Sequence, residues 1–336
     1  MKVLVTGANG LLGSHVVREL LKRKYPVRVI VRSQSNLKAL DGLEVEYFYG
    51  NLTDPEDVLK AVKGCIYVIH SAARAVHSPS KLEAYREVNI DSTEYVIEAC
   101  KKEKIQMLVY VSTANCIGNG TKANPGTEER PFVTWFKSSG YAYSKLLAQQ
   151  MVLAAVQSGT IDAVVVNPTF IIGSFPGASG TSKVLSFVLY KKVAFYPYGG
   201  KNYVDADAAA AGTVNAMEKG RKGECYLLAG ENHTYREFLK LVAKEAGHHV
   251  ILLPVPVVLL KLTGMLGSFI ERIFKIPVLL THINAKMLCL ENYYSPAKAV
   301  RELGMPLIPT VEAVRKALPS FIELNKIQKS AGSHRV

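Results

Sequence analysis

Three glycines, each three residues after the last, follow the first apolar run of the chain in the segment VLVTGANGLLGSHVV. Gly7 permits a tight turn, Gly10 lets the backbone approach a bound group, and Gly13 lets the next helix pack closely on the strand. Unpaired N–H groups at the start of that helix, near Leu11, attract phosphate. An ordinary glycine-rich turn is the alternative, but the position between a strand and a helix favours a dinucleotide-binding site.

Strand-like and helical patterns alternate over the first 170 residues. The predicted strands are 2–6, 27–31, 45–50, 66–71, 107–112 and 163–167. Several are nearly continuous apolar runs, which is typical of strands covered on both faces. The alternation therefore predicts an α/β fold: a Rossmann-type, doubly wound parallel sheet with a smaller C-terminal substrate-binding lobe.

The length of 336 residues favours such a division into a large domain and a lobe. Residues 1–170 are predicted to form an NAD(P)-binding domain, 171–325 mainly the substrate-binding lobe, and 326–336 a mobile tail. A strand near 202–206 or 224–229 is expected to complete the sheet of the first domain.

The C-terminal half is predicted to contain three helices and one long apolar segment. The helices are at 177–192, at 234–247 with a capping box of Thr234 and Glu237, and at 310–326. The apolar segment, 251–270, contains a single charge, Lys261. Because prolines and glycines interrupt it, we expect a buried helix that partly covers a substrate pocket rather than a membrane span; peripheral membrane contact is the other alternative.

The residue after the second predicted strand bears on the choice of cofactor. An acidic residue there would bind the ribose 2′-hydroxyl of NAD, whereas an arginine suits the 2′-phosphate of NADP. The position holds Arg32, and no acidic residue occurs from 27 to 38. A guanidinium binds phosphate with two parallel hydrogen bonds. The sequence therefore predicts NADP(H), with NAD(H) as the alternative.

A tyrosine and a lysine four residues apart, Tyr141 and Lys145, lie in the segment GYAYSK. The same spacing recurs at Tyr294 and Lys298, where Pro296 disfavours a helix interior. In the first pair the two side chains share one helix face, and the ammonium is predicted to lower the pKa of the phenol. A phenol of lowered pKa is suited to acid–base catalysis.

Two hydroxyl side chains, Ser112 and Thr113, stand at the end of the predicted strand 107–112. Ligand-binding residues of open parallel sheets gather at the carboxyl ends of strands. Either hydroxyl is placed to donate a hydrogen bond to a substrate carbonyl oxygen.

Five motifs occur in a fixed order: TGANGLLG, HSAA, VSTANCIG, YAYSK and NPTFIIG. With them, residues 1–175 resemble the extended short-chain dehydrogenase/reductase family, part of the NAD-dependent epimerase/dehydratase superfamily. A weaker match continues through 199–212. Within the family, the chain is similar to the branch that contains dihydroflavonol reductases, 3β-hydroxysteroid dehydrogenases and hopanoid-associated sugar-epimerase-like proteins.

The resemblance implies four catalytic residues: Thr113, Tyr141, Lys145 and Asn89. Thr113 would orient the substrate oxygen, Tyr141 would transfer the proton, and Lys145 would lower the pKa of Tyr141 and hold the ribose. The implied cofactor-binding residues are Gly7, Asn9, Gly10, Leu11, Leu12, Gly13, Arg32, Asn51, Leu52, Ser71, Ala72, Ala73, Tyr141, Lys145, Pro168, Thr169 and Phe170.

The chain departs from the family pattern at two places. Asn51 stands where the family usually has an aspartate. The segment VDADA, with Asp205 and Asp207, lacks its usual arginine, and this disfavours recognition of a sugar diphosphate.

Composition restricts the partners and the compartment. The net charge is +13, but the basic residues are dispersed and no nucleic-acid-binding motif occurs. The five cysteines are scattered without a C-x-x-C pair, which predicts free thiols and no metal site. The N-terminus lacks a signal-peptide pattern, so we expect a cytoplasmic enzyme. The resemblance also implies a homodimer.

Three functions remain open at this point. The first is an NADP(H)-dependent oxidoreductase that interconverts a carbonyl and a secondary alcohol on a bulky, apolar small molecule such as a steroid, flavonoid or isoprenoid. The second is a nucleotide-sugar epimerase or dehydratase with a retained NAD(P). The third, disfavoured by the Tyr141–Lys145 pair, is a non-enzymatic NADP(H) sensor.

Overall fold

A seven-stranded parallel sheet forms the centre of the computed structural model, which describes residues 1–76, 81–174, 189, 191–276, 278 and 280–332. The strands are β1 (Val3–Thr6), β2 (Val27–Val31), β3 (Glu46–Tyr49), β4 (Tyr67–His70), β5 (Met107–Val111), β6 (Ala163–Pro168) and β10 (Cys225–Leu228). The strand order is β10-β6-β5-β4-β1-β2-β3. This confirms the predicted fold class, and the last strand of the sheet lies within the expected 224–229.

Helices cover both faces of this sheet. They are α1 (Leu11–Lys22), α2 (Pro55–Val62), α3 (Glu83–Tyr85), which runs into a π-helical segment Arg86–Asp91, α4 (Ser92–Lys102), α5 (Gly140–Gln157) and α6 (Ala206–Lys219). Alternate side chains of a strand point to opposite faces. Val3 and Val5 therefore join one buried cluster with α1 and α6, while Leu4 joins another with α2, α4 and α5.

Two smaller sheets lie outside the central one. In the first, β9 (Gly200–Asp205) pairs with β7 (Phe170–Ile172), β11 (Glu231–Thr234) and β13 (Glu291–Asn292). In the second, β8 (Val193–Tyr196) and β12 (Ile251–Pro254) run parallel. The helices of this half are α7 (Tyr235–Glu245), α8 (Val257–Phe274), α9 (His282–Leu288) and α10 (Thr310–Gly332).

Short 3₁₀ and π segments complete the described structure, at Lys38–Leu40, Ala114–Cys116, Thr134–Ser138 and Ala299–Leu303. The predicted capping box at α7 is confirmed: the Thr234 hydroxyl accepts from the Glu237 N–H, and the Glu237 carboxylate accepts from the Thr234 N–H. The predicted helix 177–192 lies almost wholly outside the described residues. The backbone of α10 continues to Gly332, inside the segment predicted as a tail. All five cysteines are free thiols, as predicted.

The prediction of a buried helix at 251–270 is wrong. The segment forms β12 and most of α8, and Gly264 is the one buried residue of α8. Large apolar side chains such as Leu262, Leu266 and Phe269 are 57%, 60% and 58% exposed. Among the described residues, no helix combines the length and hydropathy needed to cross a bilayer.

Candidate active site

The parallel strands bring the predicted site residues to one edge of the central sheet. Gly7 follows β1, Arg32 follows β2, Ser71 follows β4 and Thr169 follows β6. The order of strands reverses between β1 and β4, which is where open α/β sheets bind ligands. The edge formed by the carboxyl ends of the strands is therefore the candidate active site.

The glycine turn fits a dinucleotide pyrophosphate. Gly7 has φ +66°, a left-handed conformation that suits glycine, and a Cβ atom there would lie 2.7 Å from the Ala72 backbone. A Cβ at Gly13 would lie 2.1 Å from the Gly7 carbonyl oxygen. The helix α1 starts after Gly10 with no side-chain cap, which leaves its first N–H groups available to an anion.

A buried histidine, which sequence reasoning missed, fixes the backbone opposite this turn. The Ala72 N–H donates to the Thr6 hydroxyl at 3.1 Å, and that hydroxyl lies 2.7 Å from His70 Nδ1. His70 Nε2 lies 3.2 Å from the Thr93 hydroxyl, which itself donates to the Asn89 carbonyl. A hydroxyl has only one proton, and that of Thr93 is already donated to Asn89, so the Thr93 oxygen accepts from Nε2–H. The neutral ring is therefore protonated on Nε2, and Nδ1 accepts from the Thr6 hydroxyl. Burial lowers the pKa of His70 to about 3, with a further contribution from the Lys145 charge.

The residues predicted to surround the adenosine half of the cofactor have different environments. Arg32 is exposed directly after β2. Asn9 donates to the Asn36 carbonyl, in the segment that follows Arg32, at 3.3 Å. The Asn51 side chain accepts from the Thr53 N–H, which closes a turn after β3. Leu52 packs partly against the buried cluster beneath α2, so it supports the turn from below.

Tyr141 lies in the first turn of α5, next to Thr113. Ser139 caps the helix by accepting from the Ala142 N–H. Burial raises the pKa of Tyr141 to about 12, the Cys116 thiol adds to the rise, and a hydrogen bond with the Thr113 side chain acts in the opposite direction. The pKa is therefore shifted upward, against the predicted lowering, because burial outweighs the stabilising contacts of the phenolate.

Lys145 lies one turn further along α5 and is only 1% exposed. Its Nζ donates to the Val111 carbonyl at 2.6 Å and lies 4.2 Å from the centre of the Tyr110 ring. Burial lowers the pKa of Lys145 to about 7. The ammonium is thus held at the carboxyl end of β5, and its charge is not among the contributions that shift the Tyr141 pKa.

Asn89 connects the candidate site to the segment after β4 rather than presenting its amide to a substrate. Its Oδ1 accepts from the Arg74 N–H at 2.7 Å, and its Nδ2 donates to the Ser144 hydroxyl at 2.9 Å. Ser144 in turn donates to the Tyr141 carbonyl at 2.8 Å. Asn89 therefore positions the first turn of α5. It lies in the π-helical segment Arg86–Asp91, and π-helical turns are frequent at functional sites.

Two further side chains near Tyr141 were missed by sequence reasoning. Tyr85 is fully buried, and its ring centre lies 6.4 Å from that of Tyr141. It precedes Asn89 by four residues, so a shared helix face was the available signal. Cys116 accepts a hydrogen bond from Ser112 at 3.4 Å, and burial raises the pKa of its thiol to about 11. Ser112 is thereby engaged with a thiol, whereas Thr113 contacts the phenol.

The side of the site formed by β7 and β9 contains a second cation, the partly exposed Lys201. The Thr169 hydroxyl, after Pro168, donates to Asn202 at 2.7 Å. Phe170 follows, and Lys201 Nζ lies 4.8 Å from the centre of its ring. Burial lowers the pKa of Lys201 to about 8, so the side chain remains mostly protonated at neutral pH. Within the described part of the chain, no carboxylate forms an ion pair with it.

The second Tyr-x-x-x-Lys match has a structural role. The Tyr294 hydroxyl donates to the Ala114 carbonyl at 3.2 Å, and Lys298 pairs with Glu224 at 2.7 Å, at the start of β10. Arg221, in the C-terminal half, pairs with Glu302 at 2.9 Å. Arg221 precedes β10, so it lies toward the sheet edge opposite the candidate site.

Comparisons with known proteins define the class. Residues 3–229 match the model of the NAD dependent epimerase/dehydratase family, and the chain belongs to this family. It is an NAD(P)-dependent enzyme of the extended short-chain dehydrogenase/reductase type.

Individual relatives match over most of the chain. The "Sterol demethylase protein B" of Methylococcus capsulatus is 29% identical, covering 97% of this chain and 100% of the relative. The "Sterol-4-alpha-carboxylate 3-dehydrogenase, decarboxylating" of Dictyostelium discoideum is 30% identical, covering 76% of this chain and 81% of the relative. The crystal structure of gox2253 superposes with a TM-score of 0.82 at 27% identity, covering 96% and 98% of the two chains.

Proposed function

We propose that the protein is an NADP(H)-dependent oxidoreductase that interconverts a carbonyl and a secondary alcohol. The contact between Thr113 and Tyr141, at the end of β5 and one helical turn from Lys145, is the observation that carries this proposal. The glycine turn after β1 lies on the same edge of the sheet, so a dinucleotide bound there would extend toward the phenol.

The residues divide the chemistry between them. When bound, the nicotinamide cofactor supplies or accepts the hydride. Thr113 donates a hydrogen bond that orients the substrate oxygen, and Tyr141 moves the proton to or from that oxygen. Lys145 holds a positive charge beside the end of β5 and is placed to bind the ribose, while Asn89 keeps the first turn of α5 in position through Ser144.

Arg32 supports the preference for NADP(H). Its guanidinium is exposed after β2, at the edge where the adenosine ribose is expected, and residues 27–38 include no carboxylate for a 2′-hydroxyl. A free 2′-phosphate would bind there with two hydrogen bonds.

The substrate is proposed to be a bulky, apolar alcohol or ketone of sterol or isoprenoid type that carries an acidic group. The names of the relatives from Methylococcus capsulatus and Dictyostelium discoideum refer to a sterol, and the second also refers to a carboxylate. Lys201 favours the acidic group, because its partly exposed ammonium, which has no ion-pair partner in the described residues, attracts a substrate carboxylate. A retained-cofactor epimerase or dehydratase is the second candidate, favoured by the family model, and it predicts no net consumption of NADPH.

Substitution of Tyr141 tests the assignment. In Tyr141→Phe, turnover of a 3-keto or 3-hydroxy sterol carboxylate is expected to fall by about 10²–10⁴-fold, while the Kd for NADPH stays unchanged. Tyr143→Phe is the matched control, because it removes a phenol two residues away on the same helix. Equal activity of Tyr141→Phe and the native protein would contradict the proposed role, and turnover of a nucleotide sugar without NADPH loss would favour the second candidate.

A further inference from the structure

The helix α8 has an exposed apolar stripe along its length. Val258, Leu262, Met265, Phe269 and Ile273 recur every three or four residues and are 53–70% exposed. At 100° per residue they lie on one side of a helix about 27 Å long. Soluble proteins rarely expose contiguous apolar surface of this extent unless it contacts a partner or a membrane.

The opposite face of α8 is already packed, so the stripe is not the face that joins the protein core. A Cβ at Gly264 would lie 2.5 Å from Ala285 Cβ, and a Cβ at Gly267 would lie 2.0 Å from the Leu280 carbonyl oxygen. These glycines let α9 and the residues before it approach α8 closely. The stripe faces away from that contact.

A second exposed apolar face directly precedes α8. In the parallel pair of β8 and β12, Val193 lies opposite Ile251 and Phe195 lies opposite Leu253. All four side chains are 39–62% exposed, whereas Ala194, which lies between Val193 and Phe195 in β8, is buried. Since alternate residues share a face, the four form one apolar patch, and only residues 255 and 256 separate its strand from α8.

Basic side chains border both features. Lys261 and Arg272 are eleven residues apart, which is three helical turns, so they lie on one side of the stripe. Lys191, Lys192 and Lys275 are exposed at the starts or ends of β8 and α8. Over 191–196 and 247–290 the sequence has six Lys or Arg and one Asp or Glu, a net charge of +5.

We propose that the face formed by β8, β12 and α8 docks the protein on the surface of a membrane that contains anionic lipids. Apolar side chains of a helix lying in the interface enter the acyl boundary, while lysine and arginine stems extend to the headgroups. Each basic residue near an anionic surface adds attraction. A second copy is a poorer occupant, because a two-fold interface would set this basic face against itself.

The packed side of α8 lies near the candidate active site. Glu271, on the packed side of α8, is near enough to Tyr85 for its charge to contribute to a raised pKa of that phenol, and Tyr85 packs against Tyr141. Docking would thus bring the membrane surface near the substrate-binding region. This consequence rests on the proposed function, whereas membrane binding itself does not.

Flotation of the full chain with lipid vesicles tests the proposal. The native protein is expected to float with vesicles of phosphatidylcholine mixed with phosphatidylglycerol, more weakly with phosphatidylcholine alone, and less as salt rises. Leu262→Gln combined with Leu266→Gln is expected to lower the vesicle affinity at least about tenfold. The matched control combines Tyr49→Gln and Leu307→Gln, whose side chains are 59% and 58% exposed elsewhere on the surface, and it should float like the native protein.

Further measurements separate the possible outcomes. Unchanged NADPH binding shows that each variant is folded, and Lys261→Gln with Arg272→Gln should reduce the preference for anionic vesicles. No flotation of the native protein would overturn the proposal, and so would equal flotation of the Leu262→Gln/Leu266→Gln variant and the Tyr49→Gln/Leu307→Gln control. So would a native dimer in sedimentation that the α8 variant converts to monomer without any vesicle binding. Tyr141→Phe should float normally, which keeps this test independent of turnover.

Discussion

The ammonium of Lys145 lies 2.6 Å from the carbonyl oxygen of Val111, the last residue of β5. This contact fixes the charge of α5 to the end of the strand that also leads into Thr113. Burial of the group nevertheless disfavours its protonated form, and the pKa falls to about 7. The site therefore contains a lysine that titrates near neutral pH.

The stability of the cofactor-free protein should show this titration. The folded-state pKa of Lys145 is about 7, against 10.5 for an unperturbed lysine. Between these values the unfolded chain holds one more proton, so the free energy of unfolding rises with pH, by at most about 1.4 kcal/mol per pH unit from this group. Lys145→Met removes the titration. The free energy of unfolding of the Met variant should exceed that of the native protein by more near pH 7 than near pH 9. Urea unfolding of both proteins at these two pH values measures the difference. A difference that stays constant with pH would contradict the burial of a titrating ammonium.

His70 should make the protein sensitive to acid. Its pKa is about 3 when folded and 6.5 when unperturbed. The unfolded chain binds the extra proton between these values, so stability is lost as pH falls from 6.5 toward 3. In His70→Gln, stability should be lower at neutral pH but should fall less steeply with acid. Thermal unfolding from about pH 7 to about pH 4 measures how steeply the stability of each protein falls with pH. The same steepness in the native protein and in His70→Gln would refute the contribution of this ring.

The two glycines Gly10 and Gly13 should respond differently to alanine. A Cβ at Gly13 would lie 2.1 Å from a backbone oxygen, but at Gly10 the nearest backbone oxygen is 3.2 Å away. Gly13→Ala must displace α1 and should cost about 1–3 kcal/mol of stability together with NADPH affinity. Gly10→Ala should weaken NADPH binding with little loss of stability. Equal melting temperatures of the two variants would contradict this distinction.

Arg32 should decide between the two cofactors. Arg32→Gln is expected to raise the Kd for NADPH by about 10–100-fold, because a charge-assisted contact with the 2′-phosphate is lost. The Kd for NADH should change little. Unchanged NADH binding by Arg32→Gln also shows that the variant is folded. Fluorescence titration of both nucleotides measures the ratio. A parallel loss of both affinities would mean that Arg32 acts through the adenine or the fold.

Local patterns were sufficient to predict the central sheet. Five of the six predicted strands are buried and show as apolar runs, whereas β3 is partly exposed. The glycine spacing identifies the first turn because only glycine suits the φ of residue 7 and the close approach at residue 13. The carboxyl ends of parallel strands meet at one edge, so the positions of Thr113 and Arg32 followed from the strand assignments, whereas Thr169 came from the family resemblance.

The tertiary structure decided what the sequence patterns could not. Whether an apolar segment is covered depends on which surfaces are left to cover it, and α8 is exposed because its glycine face already occupies the available contact. The sign of the Tyr141 pKa shift likewise depends on burial, which outweighs the hydrogen bond with the Thr113 side chain. The Lys145 ammonium is held against the Val111 carbonyl instead. The contacts of His70 and Tyr85 join residues distant in sequence or in separate elements. The sequence alone thus determined the fold and the edge of the sheet where the candidate site lies. Packing determined the pKa values and the burial of the site residues and the exposure of α8.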